Sequence, residues 1–235
     1  MIPIDIKNMI NEFLQEDLTQ RGNVETVVLC GSYATGRAST QSDIDLCYIG
    51  DFSAFHRESI VSKGREFQLM IAPWSWYKHV ILEYEQEGTN IGTITVMLAT
   101  GVCLIGDNDK WQTMRAQAES LYHKGPKAPS VEEVRKIRVR ITDLWEDFCD
   151  AKTELDRKWL ATETLQKCVE AFFFLRNWWA VKPKYQMEDL KARDPIMGDL
   201  LIRCIESLGS KEGLNSICEY VLEPVGGWMK ESWKS

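Results

Sequence analysis

One stretch of the chain, Val27–Ile49, constrains the fold more than any other. It reads Val-Val-Leu-Cys-Gly-Ser-Tyr-Ala-Thr-Gly-Arg-Ala-Ser-Thr-Gln-Ser-Asp-Ile-Asp-Leu-Cys-Tyr-Ile. An apolar segment leads into Gly31 and Ser32, and a second apolar segment opens with Asp43 and Asp45. Because successive side chains of a strand point to opposite faces, the two carboxylates share a face while their apolar neighbours turn to the core. The stretch therefore predicts two strands of one sheet, joined by a small-residue turn.

The paired carboxylates of Asp43 and Asp45 indicate a cation site. Two such groups side by side repel each other unless a cation lies between them, and Mg²⁺ is commonly held by one or two carboxylates together with substrate phosphates. The turn at Gly31 and Ser32 offers close backbone approach and N–H donors, which suit a polyphosphate. A metal and a phosphate cradle together favour phosphoryl or nucleotidyl transfer.

The spacing Gly-Ser, ten residues, Asp-x-Asp resembles the signature of the DNA polymerase beta-like nucleotidyltransferase superfamily. The longer form, with Ser-Asp-Ile-Asp-Leu, is especially similar to small bacterial members such as the aminoglycoside and minimal nucleotidyltransferases. The resemblance implies transfer of a nucleoside monophosphate, AMP from ATP, to a hydroxyl. It also implies that Asp43 and Asp45 hold Mg²⁺ bridging the nucleotide phosphates, and that Gly31 and Ser32 bind the β- and γ-phosphates.

Three further residues join the candidate nucleotide site. Arg37 follows the Gly36 turn and is placed to reach a phosphate, although a solvated loop arginine is an equal alternative. Ser42 precedes the first carboxylate and is interpreted as a turn-capping residue that orients it. Lys184 lies where related helical bundles end a helix near the nucleotide.

The family pattern also implies a third carboxylate on the next core strand, and here the chain departs from it. Gln68 stands at the expected position, and a neutral amide cannot take a proton. Glu66 has the same strand parity and is the first candidate for the missing catalytic acid. Alternatively, the acid comes from the helical half of the chain, at Glu146, Asp147 or Asp150. A third reading is a weakened member that binds nucleotides without turnover.

The pattern along the chain predicts an α/β nucleotidyltransferase core with a mixed sheet, residues 1–107, followed by an all-α helical bundle, residues 108–235. In the first part, apolar spacing predicts a helix over Asp5–Leu18 and a strand over Glu66–Ala72. The segment before Ser62 is interpreted as a short helix. The remaining predictions are a helix over Trp76–Gln86 and a stretch rich in β-branched residues, Ile91–Ile105, that Gly101 interrupts.

Long helices dominate the second part. The first predicted helix covers Lys110–His123, and a capping box of Ser130 with Glu133 opens the second. An aromatic-rich helix is predicted over Leu155–Ala180, where Pro183 stops it. The next helix begins at Asp194-Pro195 and runs through Leu208.

Composition narrows the substrate class. The net charge of −7 argues against work on long nucleic acid, whose binders carry basic surfaces, and fits a small polar or cationic acceptor. The leading acceptor is an aminoglycoside-like antibiotic, which makes antibiotic resistance the expected role. The alternative acceptor is a macromolecule, either a protein side chain or a tRNA end. Oligomeric state is left open.

Cysteine usage and hydropathy indicate where the protein works. The seven cysteines form no C-x-x-C pair, which suggests free thiols in a reducing compartment. Neither a signal peptide nor an apolar run of membrane-spanning length is visible. The sequence therefore predicts a cytoplasmic protein without a membrane partner.

Overall fold

The computed structural model describes residues 2–87 and 90–232, and the chain divides into two compact units, Met1–Pro126 and Lys127–Ser235. The helix that follows residue 107 belongs to the first unit, because its Trp111 and Ala118 are buried in that unit's core. The division into functional domains at residues 107 and 108 stays a prediction.

A mixed sheet forms the centre of the first unit. Its strands are β1 Val24–Cys30, β2 Ile44–Gly50, β3 His56–Ser62, β4 Arg65–Pro73 and β5 Val102–Ile105, in the spatial order β3-β4-β2-β1-β5. The pair β2 and β4 runs parallel, whereas β1 runs antiparallel to both β2 and β5, and β3 runs antiparallel to β4. The α/β core with a mixed sheet that the sequence predicts is confirmed.

Helices cover both faces of this sheet. They are α1 Ile4–Gln20, α2 Gly31–Thr35, α3 Trp74–Leu82, α4 Thr93–Thr100 and α5 Asp109–Lys124, with a 3-10 turn at Tyr84–Gln86. Helix α1 packs on one face, where the rings of Phe13 and Phe67 stack with centroids 3.9 Å apart. Helices α3, α4 and α5 pack on the other face, against Cys47 and Ile49 of β2. This second face also carries Asp45, by strand alternation, and Asp43 comes two residues before it, just ahead of β2.

The second unit is helical. Its helices are α6 Val131–Asp150, α7 Glu154–Leu175, α8 Pro183–Arg193, α9 Pro195–Glu206 and α10 Lys211–Leu222, followed by a 3-10 turn at Glu223–Val225. The predicted capping box opens α6: the Ser130 hydroxyl accepts from the Glu133 N–H, and the Glu133 carboxylate accepts from the Ser130 N–H. Asp194 caps α9 by accepting from the Met197 N–H at 2.9 Å. Over residues 2–87 and 90–232, no helix combines the length and the apolarity that a membrane crossing requires.

The structure corrects the predicted helix before Ser62. This segment is strand β3, which pairs with β4 through a two-residue turn at Lys63 and Gly64. Both turn residues have positive φ, 49° and 74°, the geometry of the tight hairpin turn that matches strand twist. Gly64 adopts this conformation without strain, so the hairpin forms even though β3 carries few apolar residues.

Two other segments also differ from the sequence prediction. The β-branched stretch Ile91–Ile105 contains helix α4 and then β5, with Gly101 between them. Helix α7 ends at Leu175, and Pro183 is the first residue of α8 rather than the stop of a long helix. Proline fits there because the first helical N–H needs no intrahelical partner.

Candidate active site

The candidate site lies where β1 ends and β2 begins. Because these strands are antiparallel, their register pairs Cys30 with Asp45, so the turn that leaves β1 meets the start of β2. Helix α2 begins directly at Gly31 and contains Ser32. The structure therefore brings Gly31 and Ser32 beside the carboxylate pair, as the sequence motif predicts.

The contact between Gly31 and Asp45 is the tightest feature of this region. A Cβ atom added at Gly31 would lie 2.0 Å from Oδ2 of Asp45 and 2.9 Å from its Cγ. Gly31 also has a φ of +66°, a conformation that other residues rarely adopt. The Asp45 carboxylate thus lies directly against the Gly31 backbone, and glycine is required there for both reasons.

The turn between the two strands is held by its own hydrogen bonds. The N–H of exposed Arg37 donates to the Ser32 carbonyl at 2.9 Å, and the Thr35 hydroxyl donates to the Gly31 carbonyl at 3.0 Å. Gly36, with a φ of 74°, ends α2 in the left-handed conformation. These bonds fix the path of the backbone that follows Gly31.

Ser42 is buried, and its hydroxyl is used within the loop. Its Oγ accepts from the Ser39 N–H at 2.9 Å, while its own N–H donates to the Ser39 carbonyl at 3.1 Å. This geometry agrees with a turn residue that orients the next residue, Asp43. A direct contact between Ser42 and a nucleotide stays a prediction.

Strand β4 supplies the neighbours of the carboxylates. The parallel register pairs Asp45 with Gln68, and the pair before it is Ile44 with Phe67. The observed register begins at that pair, and Asp43 and Glu66 are the residues directly before Ile44 and Phe67. Glu66 therefore lies on the strand beside β2, on the same face as Gln68, and its role as the missing acid stays a prediction.

Strand β3 adds residues that the sequence analysis did not identify. Ser59 is the register partner of Gln68, and Arg57 is the partner of Met70. The Ser59 hydroxyl donates to Oε1 of Glu66 at 2.6 Å, and Nη2 of Arg57 donates to Oε1 of Gln68 at 3.4 Å. Because this segment was predicted as a helix, Ser59 and Arg57 were not identified as neighbours of β4, which they reach only through strand pairing.

The donors at the site suit Mg²⁺. Asp43 and Asp45 offer hard carboxylate oxygens, and Ser32 adds a hydroxyl nearby in the turn. Within the described ranges, no group of three or more His, Cys, Asp or Glu side chains is arranged to hold a metal. A two-carboxylate site fits Mg²⁺, which usually keeps several waters and takes substrate phosphate oxygens for its remaining positions.

Two buried thiols lie beneath the site. The sulfur atoms of Cys30 and Cys47 are 3.5 Å apart, and both residues are fully buried. The hydrogen bond to Cys47, together with burial, raises the pKa of the Cys30 thiol well above its usual value. Cys30 is therefore uncharged at neutral pH and adds no negative charge behind Asp45.

The other predicted residues belong to the second unit. Lys184 lies in the first turn of α8, exposed, with its Nζ 4.9 Å from the ring centroid of Tyr185. Glu146, Asp147 and Asp150 are exposed on α6. Their assignment to a nucleotide or to an acceptor stays a prediction.

Part of the chain matches a family of known proteins. Residues 7–91 match the nucleotidyltransferase domain family, and this range includes the turn and all of β1, β2, β3 and β4. Among solved structures, the chain is similar to a nucleotidyltransferase-like protein from Exiguobacterium sibiricum 255-15, with a TM-score of 0.44 and 11% identity over 93% of this chain and 75% of that chain. No curated protein matches the chain.

Proposed function

We propose that this protein, whose residues 7–91 form a nucleotidyltransferase domain of the DNA polymerase beta-like superfamily, transfers AMP from ATP to a hydroxyl of a small polar molecule. The observation that carries the proposal is the seating of Asp45 against Gly31, next to Asp43 at the end of the sheet. A phosphate-binding turn and a metal-binding pair are thereby adjacent.

Asp43 and Asp45 are the residues that would hold Mg²⁺. When bound, the ion supplies charge neutralisation for the nucleotide phosphates and for the pyrophosphate that leaves. The close fit of Asp45 to the Gly31 backbone limits the positions that its carboxylate can occupy. Preorganised carboxylates matter because catalysis of phosphoryl transfer consists mostly of positioning and charge stabilisation.

The protein's own groups have defined parts in the reaction. The acceptor hydroxyl oxygen forms a bond to the α-phosphorus, and the bond from that phosphorus to the α–β bridging oxygen breaks, which releases pyrophosphate. Ser32 donates its hydroxyl to the β- and γ-phosphates, and Arg37 neutralises their charge. Glu66, on the strand beside β2, accepts the proton that the acceptor hydroxyl loses.

The charge of the chain supports a cationic acceptor of the aminoglycoside class. The net charge is −7, and α6 exposes Glu146 and Asp147. Carboxylates of this kind bind amines by charge-assisted hydrogen bonds, which salt weakens only modestly. Such an acceptor would give the protein a role in antibiotic resistance.

One observation favours a second candidate, transfer to the end of a tRNA. Arg135, Lys136 and Arg140 line a groove of about 140 Å³ on α6, together with Val139 and Asp143. Arg135 and Lys136 also pair with Glu132, and together with Arg140 these cations could bind phosphate groups. If several tRNA phosphates were neutralised by cations of the protein, the affinity for tRNA would fall by orders of magnitude between low and moderate salt. The affinity for a small amine would fall much less.

The test is transfer of label from α-³²P-ATP, GTP, CTP and UTP in Mg²⁺ to kanamycin, to bulk tRNA and to casein. We expect labelled kanamycin with ATP, no product in EDTA, and a modest rise of the kanamycin KM with salt. Label in tRNA with a steep salt dependence would replace the first candidate by the second. If Mg²⁺–ATP binds but no acceptor is labelled, the protein is a nucleotide-binding module and the proposed activity is rejected.

A further inference from the structure

We propose that Ser59 and Gln68 are positioning residues that hold the Glu66 carboxylate as the proton acceptor, so that this chain rebuilds its missing acid from two neighbouring strands. The inference rests on the proposed function. It assigns a role to β3, a strand outside the Gly-Ser and Asp-x-Asp motif.

Strand pairing places these side chains on one face of the sheet. The β3–β4 register pairs Ser59 with Gln68 and Val61 with Glu66. Directly paired residues of antiparallel strands lie on the same face, and residues two apart on one strand do so as well. Ser59, Glu66 and Gln68 therefore share the face of Asp45, which is the parallel partner of Gln68.

Glu66 is held by one oxygen only. The Ser59 hydroxyl donates to Oε1 of Glu66 at 2.6 Å, and the Gln68 amide nitrogen donates to the same oxygen. Within the described residues, Oε2 has no hydrogen bond and no ion pair, and the side chain is exposed. The carboxylate is thus fixed at one atom and presents the other to an incoming hydroxyl.

Arg57 fixes the orientation of the Gln68 amide. Nη2 of Arg57 donates to the amide oxygen at 3.4 Å, while the amide nitrogen donates to Glu66. A guanidinium only donates and a carboxylate only accepts, so a single orientation of the amide satisfies both partners. Gln68, which stands where the family pattern implies an acid, serves here as a hydrogen-bond link between a cation and the replacement carboxylate.

Fixing Glu66 matters because a proton acceptor must lie within hydrogen-bond reach of the reacting hydroxyl. An exposed glutamate without partners samples many rotamers, and ordering it at the moment of reaction costs entropy. Two donors on Oε1 remove much of that freedom before the substrate arrives.

The activity test is Ser59→Ala, assayed with ATP, Mg²⁺ and kanamycin. Removing the hydrogen bond from Ser59 to the charged Glu66 should lower kcat by about tenfold or more. The KM for ATP should not change, because β4 and β2 lie between β3 and the strand β1 that leads into the phosphate-binding turn. Ser59→Thr should restore kcat. The matched control is Ser62→Ala, which removes the same hydroxyl from the opposite face of the same strand and should leave kcat at the wild-type value.

A double substitution separates positioning from general structural damage. Glu66→Gln alone should lower kcat by about 10²-fold. If Ser59 acts only through Glu66, then adding Ser59→Ala to Glu66→Gln should lower kcat no further. Additive losses would overturn the inference, and so would a Ser59→Ala enzyme with unchanged kcat.

A second readout does not depend on turnover. In ¹⁵N-labelled protein, the side-chain NH₂ resonances of Gln68 should shift in Glu66→Gln and remain in place in Ser62→Ala. Unshifted Gln68 resonances in Glu66→Gln would overturn the inference even if the enzyme were active. If wild-type protein labels no acceptor while these resonances shift, the proposed function fails and the hydrogen-bonded arrangement of Glu66 stands.

Discussion

Replacing Gly31 with alanine tests how closely the turn and the metal pair depend on each other. The new Cβ would lie 2.0 Å from Oδ2 of Asp45, so the carboxylate oxygen would have to move. The movement is about 1.5 Å if the contact is to reach the roughly 3.5 Å of ordinary van der Waals distance. Oxygen ligands of Mg²⁺ lie about 2.0–2.1 Å from the ion with little tolerance, so a displacement of this size would take Asp45 out of its proposed position as a ligand.

The loss of stability has two parts. Alanine at a φ of +66° costs about 1–2 kcal/mol, and pushing Asp45 off its rotamer costs about 0.5–1.5 kcal/mol more. Gly64→Ala is the matched control, since Gly64 has a φ of +74° and a Cβ there would meet nothing within 4 Å. Gly31→Ala should therefore unfold at a Tm lower than that of Gly64→Ala, by about 2–4 °C for each kcal/mol of the difference.

Two assays decide this prediction. Differential scanning calorimetry compares the Tm values, and isothermal titration calorimetry measures Mg²⁺-dependent binding of a non-hydrolysable ATP analogue. We expect Gly31→Ala to weaken that binding by about tenfold or more, the effect of losing one ligand or its orientation, and Gly64→Ala to leave it unchanged. When Asp45 is also replaced by alanine, Gly31→Ala should no longer destabilise the protein more than Gly64→Ala does. Equal Tm values and equal affinities for the two glycine variants would refute the reasoning.

Two further predictions concern stability. Buried Glu85 accepts from the N–H groups of Ile94 and Thr95 at 2.8 Å each, so Glu85→Ala should destabilise the protein by about 2 kcal/mol in urea unfolding. Burial raises the pKa of Glu85 above its unfolded value, so its contribution is full below about pH 4.3 and declines as pH rises through the raised pKa. Glu85→Ala should therefore lower the free energy of unfolding more at pH 4 than at pH 7. A larger decrease at pH 7 would contradict the direction of the pKa shift. Arg138 donates to the backbone carbonyls of residues 226–228 at 2.8–3.2 Å. Arg138→Lys should therefore accelerate amide hydrogen exchange in this segment by about tenfold. Unchanged exchange would show that other contacts hold the segment.

The sequence was sufficient for the two strands and the turn of the candidate site because their signals are local. The strands β1 and β2 follow from apolar runs on both sides of a Gly-Ser turn, and alternation alone places Asp43 and Asp45 on one face. The expected position of Gln68 came from the resemblance to the family rather than from local signals, and the β2–β4 register pairs Gln68 with Asp45. Short-range chemistry determines the two strands and the turn, so local sequence patterns are enough to predict them.

The partners of Glu66 depend on contacts that no local pattern reveals. Strand β3 lies at the edge of the sheet and is largely exposed, so it lacks the apolar alternation by which a half-buried strand is recognised. Its pairing is set by the turn at Lys63 and Gly64, and lysine with a positive φ is not an expected turn residue. Ser59 consequently reaches Glu66 through a hairpin that the sequence analysis interpreted as a helix.

The most direct test of the account is calorimetric titration of Mg²⁺ and a non-hydrolysable ATP analogue into Asp43→Asn and Asp51→Asn. Both variants make the same chemical change at the two ends of β2, since Asp51 is exposed just after Gly50. We predict that Asp43→Asn loses Mg²⁺-dependent nucleotide binding, with a Kd raised about tenfold or more, and that Asp51→Asn binds as wild type does until EDTA removes the metal. Wild-type binding by Asp43→Asn would contradict the assignment of Asp43 and Asp45 as the metal-binding pair.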